Sequence, residues 1–129
     1  NKVKKSGIIW LNSMHDREDG KMIHHIEENK IQEELMKNSH KLTVIDFFAD
    51  WCVPCQMLSP VLTEIDKKYP EVEIYKVNVE ESPNATMSYG ICSVPTMMFF
   101  KDGEEVERRV GLESIQKISE IIDSFQTEN

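Results

Sequence analysis

The chain has 129 residues, 40% of them hydrophobic and 29% charged. That is the size and composition of one ordinary globular domain able to bury a core without metal or disulfide staples. Its 23 acidic residues against 15 basic ones give a net charge of −8, which excludes the basic footprint of a nucleic-acid binder. No apolar run approaches the ~20 residues of a membrane-spanning helix, so membrane insertion is not expected.

Residues 1–20 stand apart. Asn1-Lys2-Val3-Lys4-Lys5 is basic, Ile8-Ile9-Trp10-Leu11 is a short apolar cluster, and Met14 to Gly20 is polar. This stretch reads as a mobile N-terminal extension to a domain spanning residues 21–129. The alternative is docking of the apolar cluster on the domain, or on a partner in a larger complex. A start at Asn1 rather than Met is expected of a processed or truncated form, pointing to a secretory or organellar compartment, with a cytoplasmic one as the alternative.

From Lys21 the pattern becomes regular. Lys21 to Ile26 reads as a short strand, and Glu27 to Lys37 as a helix with Ile31 and Leu35 one turn apart. Leu42 to Ala49 is β-branched, aromatic and nearly all apolar, the pattern of a central strand covered on both faces. Val53 to Lys68 is helical, with Leu58, Val61, Leu62 and Ile65 on one face and a kink expected at Pro60. Glu73 to Val79 forms a second buried strand, and Asn84 to Tyr89 a short helix ended by Gly90. Thr96 to Phe100, the Asp102-Gly103 turn and Glu105 to Val110 make a hairpin, broken by Gly111. Glu113 to Phe125 closes as an amphipathic helix on Ile115, Ile118, Ile122 and Phe125. This order predicts an α/β fold, a central mixed β-sheet flanked by helices on both faces.

The chemistry concentrates in Trp51-Cys52-Val53-Pro54-Cys55. Three cysteines (Cys52, Cys55 and Cys92) are an odd number, and the short Cys52–Cys55 loop restrains the unfolded chain little. Such a pair suits opening and closing better than stapling. Cys52 follows a buried strand and opens a helix, so its sulfur meets unpaired N–H groups and the positive end of the helix dipole. Both favour thiolate, lowering the pKa from ~8.5 toward ~7, and thiolate is the form that attacks disulfides. Cys55, one turn on, lies beneath the surface; the spacing predicts an exposed attacker and a sheltered resolver. Pro54 suits the first helical turn. Half of a zinc site is the competing reading, but no second CxxC or His-x₃-His supplies the other ligands. Asp46 sits inside an apolar strand, where burial should raise its pKa and let it accept the Cys55 proton through water.

Phe47-Phe48-Ala49-Asp50-Trp51-Cys52-Val53-Pro54-Cys55-Gln56-Met57, then Pro60, Val94-Pro95-Thr96, Lys101-Asp102-Gly103 and Val110-Gly111, resemble the thioredoxin family in order and spacing over roughly Met22 to Phe125. The resemblance implies the thioredoxin fold and protein-disulfide reduction, with Cys52 as nucleophile and Cys55 as resolving thiol. Asp46 matches the family's buried aspartate, Lys76 the lysine beside it, and Pro95 the cis-proline facing the disulfide. Trp51, Val53, Pro54, Val94, Pro95 and Gly111 match client-contacting positions. Disulfide-containing client proteins and a thioredoxin reductase as electron donor are the implied partners, with no cofactor on the chain itself. The usual Gly-Pro between the cysteines is here Val53-Pro54, a stiff branched residue beside Cys52. The absence of a polar group there leans toward a reductant, with an oxidant or isomerase of a secretory compartment, or an interaction subunit, as alternatives. Cys92 reads as a small side chain in a loop, with a regulatory or dimer-forming thiol as the alternative. The Asn/Lys/Ile-rich composition and the extension are compatible with exported or organellar family members of protozoan parasites. Glu27-Glu28, Glu80-Glu81 and Glu104-Glu105 read as solvated faces.

Overall fold

The computed structural model of the chain describes residues 23–126. In chain order these form β1 (His24–His25), α1 (Ile31–Lys37), β2 (Thr43–Phe48), α2 (Val53–Lys68), β3 (Glu73–Asn78), α3 (Pro83–Ser88), β4 (Thr96–Lys101), β5 (Glu104–Val110) and α4 (Ile115–Gln126). The strands make one five-stranded sheet in the order β1-β3-β2-β4-β5. β3 runs parallel to both β1 and β2, whereas β4 is antiparallel to β2 and β5. The sheet is therefore mixed, as the pattern of the sequence implied. The proposed extension of residues 1–20 lies outside the described residues.

Every residue of β2 is buried, because β2 is flanked by strands on both edges and by helices on both faces. Strand alternation divides its side chains. Val44, with Ile74, Met97 and Phe99, packs against Leu58, Leu62 and Ile65 of α2 and Ile118 and Ile122 of α4. Ile45 and Phe47, with Tyr75, Val77, Met98 and Phe100, meet Ile31 and Leu35 of α1 and Ala85 of α3. α2 continues through Pro60 to Lys68.

The boundaries differ from expectation where side chains supply the ends. Of the strand expected over Lys21–Ile26, the described residues place His24–His25 in β1, with the Ile26 N–H donating to the Lys76 carbonyl at 3.0 Å. The helix expected from Glu27 begins instead as a 3-10 turn, Glu28–Lys30, before α1. α4 starts at Ile115 rather than Glu113, and Ser114 Oγ accepts the Lys117 N–H at 3.0 Å, as an N-cap does. α3 begins at Pro83, and its first turn is capped from far away: Glu28 Oε1 accepts the Ala85 N–H at 2.8 Å. Glu28 is thus a helix cap and not the solvated charge its run suggested. At the hairpin, Asp102 and Gly103 have φ of 54° and 80°, the left-handed pair of a type I′ turn.

The α2 face is the larger core, so truncation there is expected to be costly. Leu62→Ala, at a fully buried position, should lower stability by about 2–5 kcal/mol. Met87→Ala, at a side chain 80% exposed, should change it by less than about 0.5 kcal/mol. Denaturant unfolding of the two variants checks the contrast.

Candidate active site

β2 runs into the site. Two residues past its end the chain turns, the Cys52 N–H donating to the Ala49 carbonyl at 3.2 Å, and Cys52 becomes the N-cap of α2 in an extended conformation. Pro54 occupies the first helical turn, where its missing N–H costs nothing. Cys52 and Cys55 are joined by a disulfide, their Cα atoms 5.2 Å apart. The Cys55 N–H donates to Cys52 Sγ at 3.2 Å. One of the orphan amides of the helix start is thereby aimed at the first sulfur, which favours negative charge there.

One expectation is corrected. Cys52 is 3% exposed, no more than Cys55, so in the disulfide form the first cysteine is not an exposed attacker. Both pack with Phe48 and Ala49, and Val79 and Val94 close over them. Exposure belongs instead to the neighbours, with Trp51 at 66% and Val53 at 61%. Trp51 is held from outside the motif, its Nε1–H donating to Glu80 Oε2 at 2.7 Å. Glu80, read from its run as a solvated charge, thus orients the indole beside the disulfide.

The Val94–Pro95 bond is cis; Val94 packs on the cysteine cluster and Pro95 is buried. Gly111, with φ of 98°, donates its N–H to the Pro95 carbonyl at 2.8 Å. That bond ties the end of β5 to the loop before β4. Trp51, Val94 and Cys92 border one cavity of about 470 Å³ with Val79, Thr86, Ile91 and Ser93. Cys92 is an exposed free thiol in that loop, on the cavity wall with Trp51 and Val94 and outside the disulfide.

Asp46 shares the α2-facing side of β2 with Val44. It is 0% exposed, and neither carboxyl oxygen accepts a hydrogen bond from a described residue. Its register partners are Lys76 on β3 and Met97 on β4. Burial pushes its pKa up to about 7, and the positive charge of Lys76 pulls the other way without cancelling that rise. The Lys76 ammonium donates to Ser59 Oγ at 3.4 Å and lies 4.9 Å from the centre of the Phe48 ring. Ser59 was not singled out from the sequence. The available signal was a hydroxyl one turn beyond Cys55, between apolar Leu58 and Val61. No group of three or more His, Cys, Asp or Glu side chains among the described residues is arranged to hold a metal.

The arrangement has counterparts. The thioredoxin family model matches residues 22–124. A thioredoxin of Chlamydia trachomatis is 46% identical over 85 residues, covering 66% of this chain and 83% of that protein. A thioredoxin of Rickettsia bellii is 36% identical over 104 residues, covering 80% of this chain and 98% of the relative. Among solved structures, a Fasciola hepatica thioredoxin superposes with a TM-score of 0.74 at 35% identity, covering 80% of this chain and 98% of that one. A domain with this sheet order, with Cys52 and Cys55 bonded where the central strand meets a helix, and with these relatives at these identities, belongs to the thioredoxin family and is a protein thiol–disulfide oxidoreductase.

Proposed function

We propose that the chain works as a reductant of client-protein disulfides, with Cys52 as attacking sulfur, Cys55 as resolving sulfur and Asp46 as proton acceptor. The observation that carries the role of Cys52 as attacking sulfur is the Cys55 N–H donating to Cys52 Sγ at the start of α2. In the dithiol form the same amide and helix terminus stabilise a Cys52 thiolate. That thiolate attacks one sulfur of a client disulfide; a Cys52–client bond forms and the client's other sulfur leaves as thiolate. Cys55 loses its proton toward Asp46, through water, and attacks Cys52 Sγ. The Cys52–Cys55 bond forms, the second client sulfur departs and takes up a proton, and two electrons have passed to the client.

Asp46 suits the proton step because its pKa of about 7 leaves both forms populated near neutrality. Lys76, next to it in register, is the charge that keeps the carboxylate form accessible. For client contact, Trp51, Val53 and Pro54 are exposed, while Val94 and Gly111 are half-buried at the rim and Pro95 lies beneath. Val53-Pro54 offers no polar group to stabilise the dithiol form further, which supports the reducing direction. Recharging falls to a thioredoxin reductase, the usual electron donor of the family. Residues 1–20 are read as an extension to the redox domain, in which case its removal leaves activity unchanged.

Cys52→Ser should abolish reduction of insulin disulfides. Cys55→Ser should retain attack and accumulate covalent client complexes, visible on non-reducing gels. Normal turnover by the Cys55 variant, or trapping by the Cys52 variant, contradicts the assignment.

Asp46 also makes stability depend on pH with a definite sign. The native carboxyl holds its proton up to about pH 7, whereas the unfolded one loses it near 3.8. Between those values the native state binds more protons, so stability falls as pH rises, by about 4 kcal/mol in all. Asp46→Asn should flatten that decline between pH 5 and pH 8 and raise stability at pH 8, while slowing turnover at neutral pH. Urea unfolding of the oxidised protein at both pH values, beside a reductase assay, reads both effects; an equal decline in the variant removes Asp46 as its source.

A further inference from the structure

We propose that Ser59 is a positioning residue that holds the Lys76 ammonium away from the Asp46 carboxyl, keeping that carboxyl able to take and return a proton. Asp46 and Lys76 are direct register partners on adjacent parallel strands. Opposite charges so placed are within reach of a charge-assisted hydrogen bond. Here neither Asp46 oxygen accepts a hydrogen bond from any described residue, and the ammonium is engaged elsewhere. It donates to Ser59 Oγ at 3.4 Å and rests 4.9 Å from the Phe48 ring centre, within cation–π range. Ser59 reaches it from α2, one turn beyond Cys55, so the helix that carries the redox pair also restrains the lysine.

The surroundings of Asp46 leave Lys76 as the group on which this restraint acts. β3 contributes Lys76, and β4 contributes the uncharged Met97. α2, packed on that face, contributes Ser59 and the disulfide-bonded Cys55, with buried Asp66 about two turns further along the helix. Lys76 is the charge whose field reaches the carboxyl. An ammonium released from Ser59 gains its next-best partner by moving toward the carboxylate. At an effective dielectric of about 20, bringing opposite unit charges from about 6 Å to about 4 Å favours ionisation by about one pH unit.

This inference deepens the proton-acceptor reading, and its test separates the two. The probe is carbon-13 NMR titration of the Asp46 carboxyl in the oxidised chain, for wild type, Ser59→Ala, Ser59→Thr, Lys76→Met and the Ser59→Ala/Lys76→Met pair. Ser59→Ala should lower the Asp46 midpoint by about one pH unit, and Ser59→Thr, which keeps the hydroxyl, should restore it. With Lys76 already replaced by Met, Ser59→Ala should not move the midpoint, since nothing is left to release. An unmoved or raised midpoint in Ser59→Ala overturns the proposal, as does an equal shift with and without Lys76. A lowered midpoint that the pH profile of turnover does not follow supports the role of Ser59 and counts against Asp46 as proton acceptor.

Discussion

The structure depends on burying β2 from every side. Strands β3 and β4 cover its edges, and its two rows of side chains enter separate helix-backed cores. A strand so enclosed has one register open to it, because a slip of one residue would exchange the two rows. That fixed strand delivers the chain into α2 at a set place. The orientation of the Cys52–Cys55 pair follows from it, as does the cover provided by Val79 and Val94. Trp51 and Gly111 are held at the same rim by the hydrogen bonds they donate to Glu80 and to the Pro95 carbonyl.

The same enclosure sets the electrostatics. A carboxyl on the α2-facing row of β2 is removed from water, and an isolated ionised carboxylate is expensive there. A close ion pair with Lys76 would offset part of that cost and would favour Asp46 as an anion. The observed compromise gives the lysine a hydroxyl and an aromatic face and leaves the carboxyl without a hydrogen bond. In the proposed mechanism, stability at neutral pH is given up for a group that titrates where the chemistry operates. In this account the restraint on Lys76 and the proton acceptance at Asp46 are two parts of one device.

Much of this was legible in the residues. The nearly all-apolar run from Leu42 to Ala49 marked the central strand, the Leu58–Leu62–Ile65 stripe marked α2, and Asp102-Gly103 marked the hairpin. The Cys52–Cys55 spacing and the acid inside an apolar strand announced the chemistry. What escaped were side chains whose partners lie far away in sequence. Glu80 bonds Trp51 across 29 positions, Glu28 caps α3 across 57, and Ser59 meets Lys76 across 17. Runs of glutamate carry no local mark of which member will be used. The burial of Cys52 escaped for a related reason, since the side chains that cover it come from Val79 and Val94, outside the motif.

Direction of electron flow is the point on which the account is most exposed, because the same pair of cysteines can oxidise or reduce. The Val53-Pro54 dipeptide argues for a stable disulfide and a reducing dithiol, whereas a polar group in that place would stabilise the thiolate and reverse the preference. The most direct measurement is the equilibrium reduction potential of the Cys52–Cys55 couple against a glutathione buffer at pH 7. The account predicts a value near ~−270 mV; a value near ~−180 mV, in the range of disulfide isomerases, would contradict it.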